Sequence, residues 1–265
     1  MIDFVTVFVP VFNEERNLPE CLEALKNFRK VVILDSCSSD DTPGIAARYG
    51  REVVRFEWDG KFPKKRNWAL RNYKIDTPWC LFLDADERMT PAFERELAGT
   101  LPTTGHDVFV VYYDNWFMGR MLRHGDVMRK SALVRHGHGE YERVEDAAGD
   151  RPMDMEIHEQ ILSGGTVGTI KAHLEHHDRR PLSNYYVKHC RYADWEARRY
   201  RAIEDWSVLT RREKIKYRLL RWKLFPLAYF FVSYVLKGGF LDGAPGFYFA
   251  INKMSYFYQI QAKLF

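Results

Sequence analysis

The first part of the chain, residues 1–100, alternates between short apolar runs and segments with helical periodicity. Apolar runs at 4–12, 30–35 and 79–84 are rich in bulky and branched side chains, which is typical of buried strands. Between the first two runs, apolar residues recur at the spacing of one helix face: Leu18, Cys21, Leu22 and Leu25. Strands that alternate with short helices indicate βαβ units, so the sequence predicts a parallel sheet.

Local signals set the boundaries of further elements. Thr42-Pro43 and Thr90-Pro91 each place a capping residue before a proline, which predicts two helix starts, and Gly50 predicts the end of the first helix. Residues 52–58 are predicted as a strand and residues 62–73 as a basic helix. These elements continue the alternation of strands and helices.

The second half of the chain has a different pattern. Apolar runs at 107–113 and 165–174 predict two strands, and residues 121–144 are predicted as short strands joined by loops. A long helix is predicted from Ser183 to about Asp205, where aromatic and aliphatic side chains stand among many arginines.

Polar side chains follow three of the predicted strands. Asn13 and Glu14 follow the first, Asp35 closes the second, and Asp84 and Asp86 close the strand that starts near residue 79. Because ligands in open α/β sheets bind beyond the carboxyl ends of the strands, we expect these side chains to face one site. Two carboxylates one residue apart suit a hard divalent cation, although Asp-x-Asp by itself is a common sequence.

Composition excludes several classes of protein. The chain has 265 residues, 46% of them hydrophobic, which is enough for a sizeable core, and its net charge of +4 does not argue for nucleic acid. Neither a Gly-x-Gly-x-x-Gly fingerprint nor a P-loop follows a predicted strand. The N-terminal apolar run lacks a basic leader, so we expect a reducing cytoplasmic setting. The cysteines have no metal-ligand spacing: Cys21, Cys37, Cys80 and Cys190.

The segment 214–236 mixes lysine and arginine with aromatic residues. This composition suits a membrane interface, with rings at headgroup depth and cations on anionic lipid. The other interpretation is a helical extension whose aromatic residues form a core, and both can hold together. The apolar run 224–236 contains Pro226 and is shorter than the roughly 20 residues that span a bilayer, so we expect the chain to lie on a membrane without crossing it.

Four motifs resemble, in order and spacing, those of family 2 inverting glycosyltransferases: Val9-Pro10-Val11-Phe12-Asn13-Glu14-Glu15, Leu34-Asp35-Ser36-Cys37-Ser38-Ser39-Asp40-Asp41-Thr42, Lys65-Arg66-Asn67-Trp68-Ala69-Leu70 and Leu83-Asp84-Ala85-Asp86. Shorter motifs are similar to those of lipopolysaccharide inner-core beta-glucosyltransferases: Ile157-His158-Glu159, Leu174-Glu175-His176, Lys188 with Arg191-Tyr192, and Lys237-Gly238-Gly239-Phe240-Leu241-Asp242-Gly243. Cys37 stands where the family often has glycine, which leaves the conformation of that loop open.

The resemblance implies a GT-A fold, which is an α/β, Rossmann-like fold with a mixed sheet flanked by helices. It implies a catalytic domain at 1–178, with a nucleotide-sugar-binding half at 1–100 and an acceptor half at 101–178. A helical, membrane-associating extension at 179–265 completes the expected organisation. The resemblance also implies a UDP-sugar donor and a divalent metal, Mn²⁺ or Mg²⁺.

The same resemblance implies roles for individual residues. It assigns binding of the nucleotide sugar to seven of them: Pro10, Asn13, Glu14, Asp35, Asp40, Arg66 and Asp84. It places Asp84 by the ribose and the metal and makes Asp86 the direct metal ligand. His176 is the expected third ligand, with His173 and His177 as competing candidates.

Inverting transfer is a single displacement at the anomeric carbon. It needs one general base for the acceptor hydroxyl and stabilisation of the charge on the departing diphosphate. Asp154, Glu156 and Glu159 are candidate bases, and Glu159 is favoured because it matches the family's His-Glu pair and precedes a loop with two glycines. Glu156 and Glu159 could equally be solvated acids on a strand.

We therefore expect a metal-dependent inverting hexosyltransferase, peripheral on the inner face of the cytoplasmic membrane. It would move glucose from UDP-glucose to a lipid-linked saccharide such as lipopolysaccharide core, and nucleic acid is not an expected partner. Alternatives are the same chemistry on a capsule, exopolysaccharide or polyprenyl-linked acceptor, or a non-catalytic membrane-associated module. A phosphatase with a nucleophilic Asp-x-Asp is a further alternative. In such an enzyme the motif would follow the first strand, which is not the case here.

Overall fold

The computed structural model describes residues 1–143, 160–209 and 211–264. Within these ranges the chain forms two compact units. We call residues 1–116, 127–143 and 160–179 the sheet unit, and residues 117–126, 180–209 and 211–264 the helical unit. The functional division predicted from the resemblance stays a prediction.

The strands are short and lie in the N-terminal two thirds of the chain. They are β1 (Ile2–Val11), β2 (Phe28–Asp35), β3 (Glu52–Arg55), β4 (Trp79–Phe82), β5 (Glu87–Arg88), β6 (Val108–Phe117), β7 (Arg120–Leu122), β8 (Met128–Arg135), β9 (Glu140–Tyr141), β10 (Ile161–Leu162) and β11 (Val167–His176).

The helices separate the early strands and fill the C-terminal third. They are α1 (Leu18–Ala24), α2 (Thr42–Arg48), α3 (Lys65–Asn72), α4 (Pro91–Thr100), α5 (Leu182–Arg201), α6 (Arg211–Leu220), α7 (Phe225–Phe231) and α8 (Gly243–Leu264). Two 3₁₀ turns (Trp206–Val208 and Gly239–Asp242) and one π-helical segment (Val232–Leu236) lie between the C-terminal helices.

The main sheet is mixed and has the strand order β3-β2-β1-β4-β8-β6-β11-β5. Strands β3, β2, β1 and β4 are parallel, and β8 runs antiparallel to both β4 and β6. β11 is parallel to β6, and β5 is antiparallel to β11. The expected α/β fold with a mixed sheet is confirmed.

Two apolar clusters cover the two faces of this sheet. On one face Val7 and Val9 of β1 pack with Leu22 of α1, Ala46 of α2 and Leu97 of α4. On the other face, Ala69 of α3 packs with buried strand side chains: Phe8, Val32 and Phe82. Alternate residues of β1 therefore point to opposite helix layers, as the period of two in a strand requires.

The register of the parallel strands brings their carboxyl ends to one edge. Val11 pairs with Asp35 on β2, and Phe8 pairs with Phe82 on β4. The amide of Leu83 then donates to the carbonyl of Phe8 at 3.0 Å. The residues that follow β1, β2 and β4 therefore emerge together, where an open α/β sheet binds its ligands.

Several element boundaries differ from the predictions. The strand predicted at 52–58 ends at Arg55, and the helix predicted at 62–73 begins at Lys65, because Phe62 precedes a proline and is disfavoured in helical conformation. The strand predicted to end at Asp84 ends at Phe82, and a turn follows it.

Other boundaries shift by a few residues. Thr42 is the first residue of α2 rather than its cap, whereas Thr90 caps α4 as predicted, since its Oγ1 accepts from the amide of Phe93 at 3.1 Å. β11 continues to His176, two residues beyond the predicted end. The long helix α5 ends at Arg201, short of the predicted end near Asp205.

The helical unit has its own core, in which α5 and α8 contact α6. Tyr217 is fully buried, and its hydroxyl donates to the buried carboxylate of Glu196 at 2.6 Å. Asp242 accepts from the amides of Arg123 at 3.1 Å and His124 at 2.9 Å. The glycine-rich motif that ends near Asp242 therefore has a structural role in fixing a loop.

Helix length and hydropathy decide whether a helix could cross a membrane. Within the described ranges no single helix is long and apolar enough to cross a bilayer. One bent pair, Glu213–Leu220 with Phe225–Leu236, meets these criteria together across a bend of 120°.

The side chain of Asn67 connects α3 to the segment that carries β9. Its side chain is buried, donates to the carbonyl of Tyr141 at 2.9 Å and accepts from the Tyr141 amide at 2.8 Å. Asn67→Ala would leave both backbone groups without this partner, so we expect a loss of about 2–4 kcal/mol, measured by urea denaturation. Asn72→Ala, at the exposed end of the same helix, should change stability by less than about 0.5 kcal/mol. Equal losses in the two variants would contradict this role of Asn67.

Candidate functional site

The loops after β1 and β2 are tied together by Asn13. Its backbone has a φ of +55°, a left-handed conformation that asparagine tolerates better than most residues. The Asn13 amide donates to Ser38 Oγ at 2.9 Å, and its side-chain Oδ1 accepts from the Ser39 amide at 2.8 Å. Two of the polar strand ends predicted to converge are thus in direct contact.

Asp35 lies at the end of β2 and is only 5% exposed. Its carboxylate accepts from the Ser38 amide at 3.1 Å and from the Ser38 hydroxyl at 2.5 Å. The loop can curl back in this way because Cys37 has a φ of +61°. This is a conformation that glycine adopts without steric cost, which explains why a glycine is expected at this position.

Asp40 and Glu14 hold the same pair of loops from the other side. The Asp40 carboxylate accepts from the Thr42 hydroxyl at 2.5 Å, the Thr42 amide at 3.0 Å and the Glu15 amide at 3.2 Å. Burial alone would raise the pKa of Asp40, but these hydrogen bonds lower it below its ordinary value. The Glu14 amide donates to the Thr42 hydroxyl at 2.8 Å. Asp40 therefore organises the loops, and its role in nucleotide binding stays a prediction.

The acidic turn after β4 is held by two cations. Asp84 Oδ1 accepts from Arg66 Nη2 at 2.9 Å, and Oδ2 accepts from Lys130 Nζ at 2.5 Å. Glu87 is fully buried, also pairs with Lys130, and accepts from the Asp84 amide at 3.0 Å. The ammonium of Lys130 thus joins the first and last acids of the turn.

Burial and charge act in opposite directions on these groups. Burial raises the pKa of Glu87 above its ordinary value. Burial also acts to raise the pKa of Asp84, but the positive charges of Lys130 and Arg66 outweigh it and hold that pKa well below the ordinary value. Asp84 is therefore ionised throughout the neutral range.

Asp86 faces a histidine of the neighbouring sheet edge. His176 Nε2 lies 3.5 Å from Asp86 Oδ2, and His176 Nδ1 lies 3.0 Å from the side-chain oxygen of Asn115. A proton on Nδ1 satisfies Asn115 and leaves the lone pair of Nε2 directed at Asp86. Two facing lone pairs at this distance form a donor pair that suits a cation.

The two competing histidines are engaged elsewhere. His173 Nδ1 lies 2.7 Å from the Asp114 carboxylate. His177 Nε2 lies 3.0 Å from the Glu175 carboxylate, and its ring stacks on Trp116 at 4.4 Å. Among these three histidines, Asp86 is paired with His176, which agrees with the expected ligand, although a role in metal binding stays a prediction.

The donor set around the acidic turn is chemically suited to a divalent cation. Asp84, Asp86 and Glu87 each offer an oxygen within 4.8 Å of the others. Because Lys130 contacts both Asp84 and Glu87, Asp86 and His176 are the better candidates for direct ligands. Carboxylate oxygen and imidazole nitrogen are both ligands for Mn²⁺-type ions.

The strand ends span a distance suited to an extended ligand. β1 lies between β2 and β4, so the ends of the two outer strands are about 10 Å apart, since neighbouring strands are separated by about 4.8 Å. Lys65 Nζ donates to the carbonyl of Val11 at 3.4 Å, which brings the start of α3 and Arg66 to the end of β1. Pro10 lies in β1 one residue before Val11. The arrangement can hold a nucleoside at Asp35 and a charged group near Asp84.

The predicted general base lies outside the described residues. Glu159 and the alternatives Asp154 and Glu156 all fall in the range 144–159. The choice among these three carboxylates therefore stays a prediction.

Sequence reasoning assigned no role to several residues that shape the site. Lys130, Glu87 and Asn115 hold Asp84 and His176 in place. Glu87 belongs to the acidic stretch after β4, and this position could have indicated that it contributes to the site. Lys130 and Asn115 lie in strands without any motif, so their proximity to the turn depends on sheet pairing.

The mixed α/β sheet carries an acidic turn and basic side chains beyond its central strands, as the family resemblance implies. The chain belongs to glycosyl transferase family 2, because the model of the family described as "Glycosyl transferase family 2" matches residues 6–153. This match confirms the family resemblance on which the sequence-based expectations rest.

Curated relatives include other glycosyltransferases. The chain is 26% identical to the lipopolysaccharide core biosynthesis glycosyltransferase LpsC of Rhizobium meliloti, in a match that covers 98% of this chain and 92% of the relative. A shorter match, 27% identical, is to an uncharacterized glycosyltransferase of Rickettsia conorii and covers 41% of this chain and 38% of the relative.

Solved structures are similar over a smaller part of the chain. Glucosyl-3-phosphoglycerate synthase from Mycobacterium tuberculosis, solved with Mn²⁺, UDP and glucosyl-3-phosphoglycerate, is 25% identical with a TM-score of 0.35. The match covers 41% of this chain and 43% of the synthase. The same synthase was also solved with Mg²⁺ and UDP, at 23% identity and a TM-score of 0.34.

The left-handed backbone of Cys37 gives a prediction about stability. Cys37→Gly should be more stable than Cys37→Ala by about 1 kcal/mol, because only glycine relieves the steric cost of a positive φ. Both variants remove the sulfur that accepts from Arg55 Nε at 3.3 Å, so that contact cancels in the comparison. Denaturation midpoints measure the difference, and an alanine variant as stable as the glycine variant would refute the argument.

Lys130 gives a prediction about the charges of the acidic turn. Lys130→Met would leave Glu87 buried without its cation, at a cost of about 3–5 kcal/mol, and adding Glu87→Gln should restore at least half of that loss. Both effects are measured by urea denaturation at neutral pH.

The pH dependence of the single variant provides the control. Glu87 has a pKa raised by burial, so its charged form is disfavoured in the folded state, and stability falls as pH rises from the unfolded pKa through the folded one. The deficit of Lys130→Met should therefore be smaller at about pH 5 than at about pH 8. A deficit independent of pH and unchanged by Glu87→Gln would show that Lys130 acts through packing alone.

Proposed function

We propose that this protein is a metal-dependent inverting hexosyltransferase that transfers glucose from UDP-glucose to a lipid-linked saccharide such as lipopolysaccharide core. The observation that carries the proposal is the acidic turn beyond β4, where Asp86 Oδ2 faces His176 Nε2 at 3.5 Å. Membership of glycosyl transferase family 2 supplies the reaction class.

The donor would lie along the carboxyl ends of the parallel strands. Asp35 lies at the end of β2, where its carboxylate oxygens can accept from a base or ribose. Arg66, whose side chain is 11% exposed, lies at the start of α3 and brings positive charge close to Asp84. The separation of about 10 Å between the ends of β2 and β4 suits a nucleoside diphosphate that reaches from Asp35 to the acidic turn.

The residues of the acidic turn fit a divalent cation. Asp86 and His176 would hold it, with Asp84 beside them, and such a cation supplies positive charge to the departing diphosphate. His176 Nδ1 lies 3.0 Å from the side-chain oxygen of Asn115, a contact that would orient the ring with Nε2 toward the cation. Lys130 and Arg66 keep Asp84 ionised and hold its carboxylate in one orientation.

The chemical step is a single displacement. The acceptor hydroxyl oxygen forms a bond to the anomeric carbon while the bond from that carbon to the diphosphate oxygen breaks, and the configuration inverts. The hydroxyl proton passes to a carboxylate general base, for which we propose Glu159. UDP leaves with the electron pair of the broken bond.

The proposal also names an acceptor and a location. They are supported by the match over 98% of the chain to LpsC, whose name assigns it to lipopolysaccharide core biosynthesis. We propose that the protein works as a peripheral enzyme at the inner face of the cytoplasmic membrane, where a lipid-linked acceptor would be within its reach. Capsule or exopolysaccharide acceptors would use the same donor chemistry.

Thermal denaturation with a panel of nucleotide sugars tests the donor and the metal. UDP-glucose with Mn²⁺ should raise the midpoint by roughly 5 °C or more at a hundredfold excess over Kd, whereas ADP-glucose should not. Asp86→Ala should abolish both the Mn²⁺-dependent shift and the slow hydrolysis of UDP-glucose.

Asp76→Ala, which removes an exposed acid from the loop before β4, serves as the matched control and should behave as wild type. A shift without hydrolysis would indicate a nucleotide-binding module rather than an enzyme. A well-folded wild-type protein without any shift for a uridine nucleotide would overturn the proposal.

A further inference from the structure

The helical unit exposes large apolar side chains in one stretch of sequence. Leu227 and Phe231 of α7 are more than half exposed, and Leu236, at the end of the π-helical segment, is 68% exposed. Phe240 and Leu241 follow in the 3₁₀ turn and are 49% and 56% exposed. Exposed apolar side chains mark a site of interaction where they form one contiguous patch.

Ring contacts connect this stretch into one surface. Tyr234 lies at its centre, with ring centroids 5.3 Å from Phe230, 6.3 Å from Phe240 and 5.5 Å from Phe247 of α8. We call these four rings, together with the exposed Phe231, Leu236 and Leu241, the aromatic patch. Residues from α7, the π-helical segment, the 3₁₀ turn and α8 thus contribute to a single face.

The backbone around the patch is tightly constrained. Gly238 and Gly243 have φ values of +72° and +67°, and they bracket the turn that carries Phe240 and Leu241. A Cβ on Gly239 would lie 2.9 Å from the carbonyl oxygen of Ser233, so this turn packs closely on the π-helical segment. The exposed apolar side chains are therefore presented by an ordered turn held in place by glycines.

Basic residues precede the patch in the sequence, although Lys216 and Lys237 pair with Glu196 and Asp126. From 206 to 241 the sequence has eight lysines or arginines and a single acid, Glu213. Arg218, Arg221 and Lys223 are exposed, in the segment directly before α7. Basic residues are attracted to an anionic membrane, and exposed rings favour the headgroup region.

We propose that the aromatic patch docks the protein on the surface of an anionic phospholipid bilayer, with Phe231, Leu236 and Leu241 entering the headgroup boundary and Arg221 and Lys223 contacting lipid phosphates. This deepens the lipid-linked acceptor of the proposed function and rests on it for its biological purpose. A second copy of the chain fits the patch less well, because a two-fold interface would bring the same cationic segments together.

Vesicle flotation tests the docking directly. Wild-type protein should float with vesicles of phosphatidylcholine and phosphatidylglycerol, much less with phosphatidylcholine alone, and the binding should weaken as salt is added. Leu236→Ser combined with Leu241→Ser should weaken binding at least tenfold, because two side chains lose their burial in lipid. Arg221→Glu combined with Lys223→Glu should abolish the preference for anionic vesicles.

Tyr258→Ser is the matched control. Tyr258 is 65% exposed on the same helix as Phe247, about 16 Å further along its axis, and its removal should leave flotation unchanged. Flotation uses no sugar, and the shift with UDP-glucose is measured on the same variants, so failure of docking and failure of the transferase proposal are separable.

Two outcomes would overturn the docking proposal. One is wild-type protein that stays unbound with anionic vesicles, or patch variants that float as well as wild type. The other is a concentration-dependent dimer in sedimentation velocity that the same patch variants dissociate, which would assign the patch to a second copy of the chain.

Discussion

The acidic turn of this protein depends on the pairing of Lys130 with two carboxylates. Glu87 is fully buried, and a buried carboxylate without a partner costs several kcal/mol, on the order of 3–5. Lys130 contacts Glu87 and Asp84 at once, while Arg66 takes the second oxygen of Asp84. Asp86 lies between these two acids in the sequence, and its Oδ2 is 3.5 Å from His176 Nε2. One ammonium group therefore holds the first and last acids of the turn together.

Sheet pairing explains why a lysine stands at this position. Leu81 on β4 pairs with Leu133 on β8, and the two strands are antiparallel. β8 also carries Lys130, and the turn that follows β4 at Phe82 places Asp84 Oδ2 2.5 Å from the Lys130 ammonium. The antiparallel strand β8, between β4 and β6, thus contributes Lys130, while the ends of the parallel strands contribute the acids.

Many residues of the site could be predicted from local sequence. Asn13, Asp35 and Asp84 were expected at one edge because apolar runs end just before them, and the parallel register of β1, β2 and β4 explains why that inference is correct. The contacts that orient these side chains could not be predicted from the sequence. Asn13 and Ser39 are 26 residues apart, and the choice among His173, His176 and His177 depends on which face of β11 is directed at the acidic turn.

The sequence by itself determined the succession of strands and helices, the acidic end of β4 and the family, because apolar periodicity, capping residues and short motifs act over a few neighbouring positions. Only the tertiary structure decided that Lys130 neutralises Asp84 from 46 residues away and that four rings of the helical unit meet on one face. Such contacts depend on strand register and helix packing, which arise from the whole core at once and leave no pattern in a local window of residues.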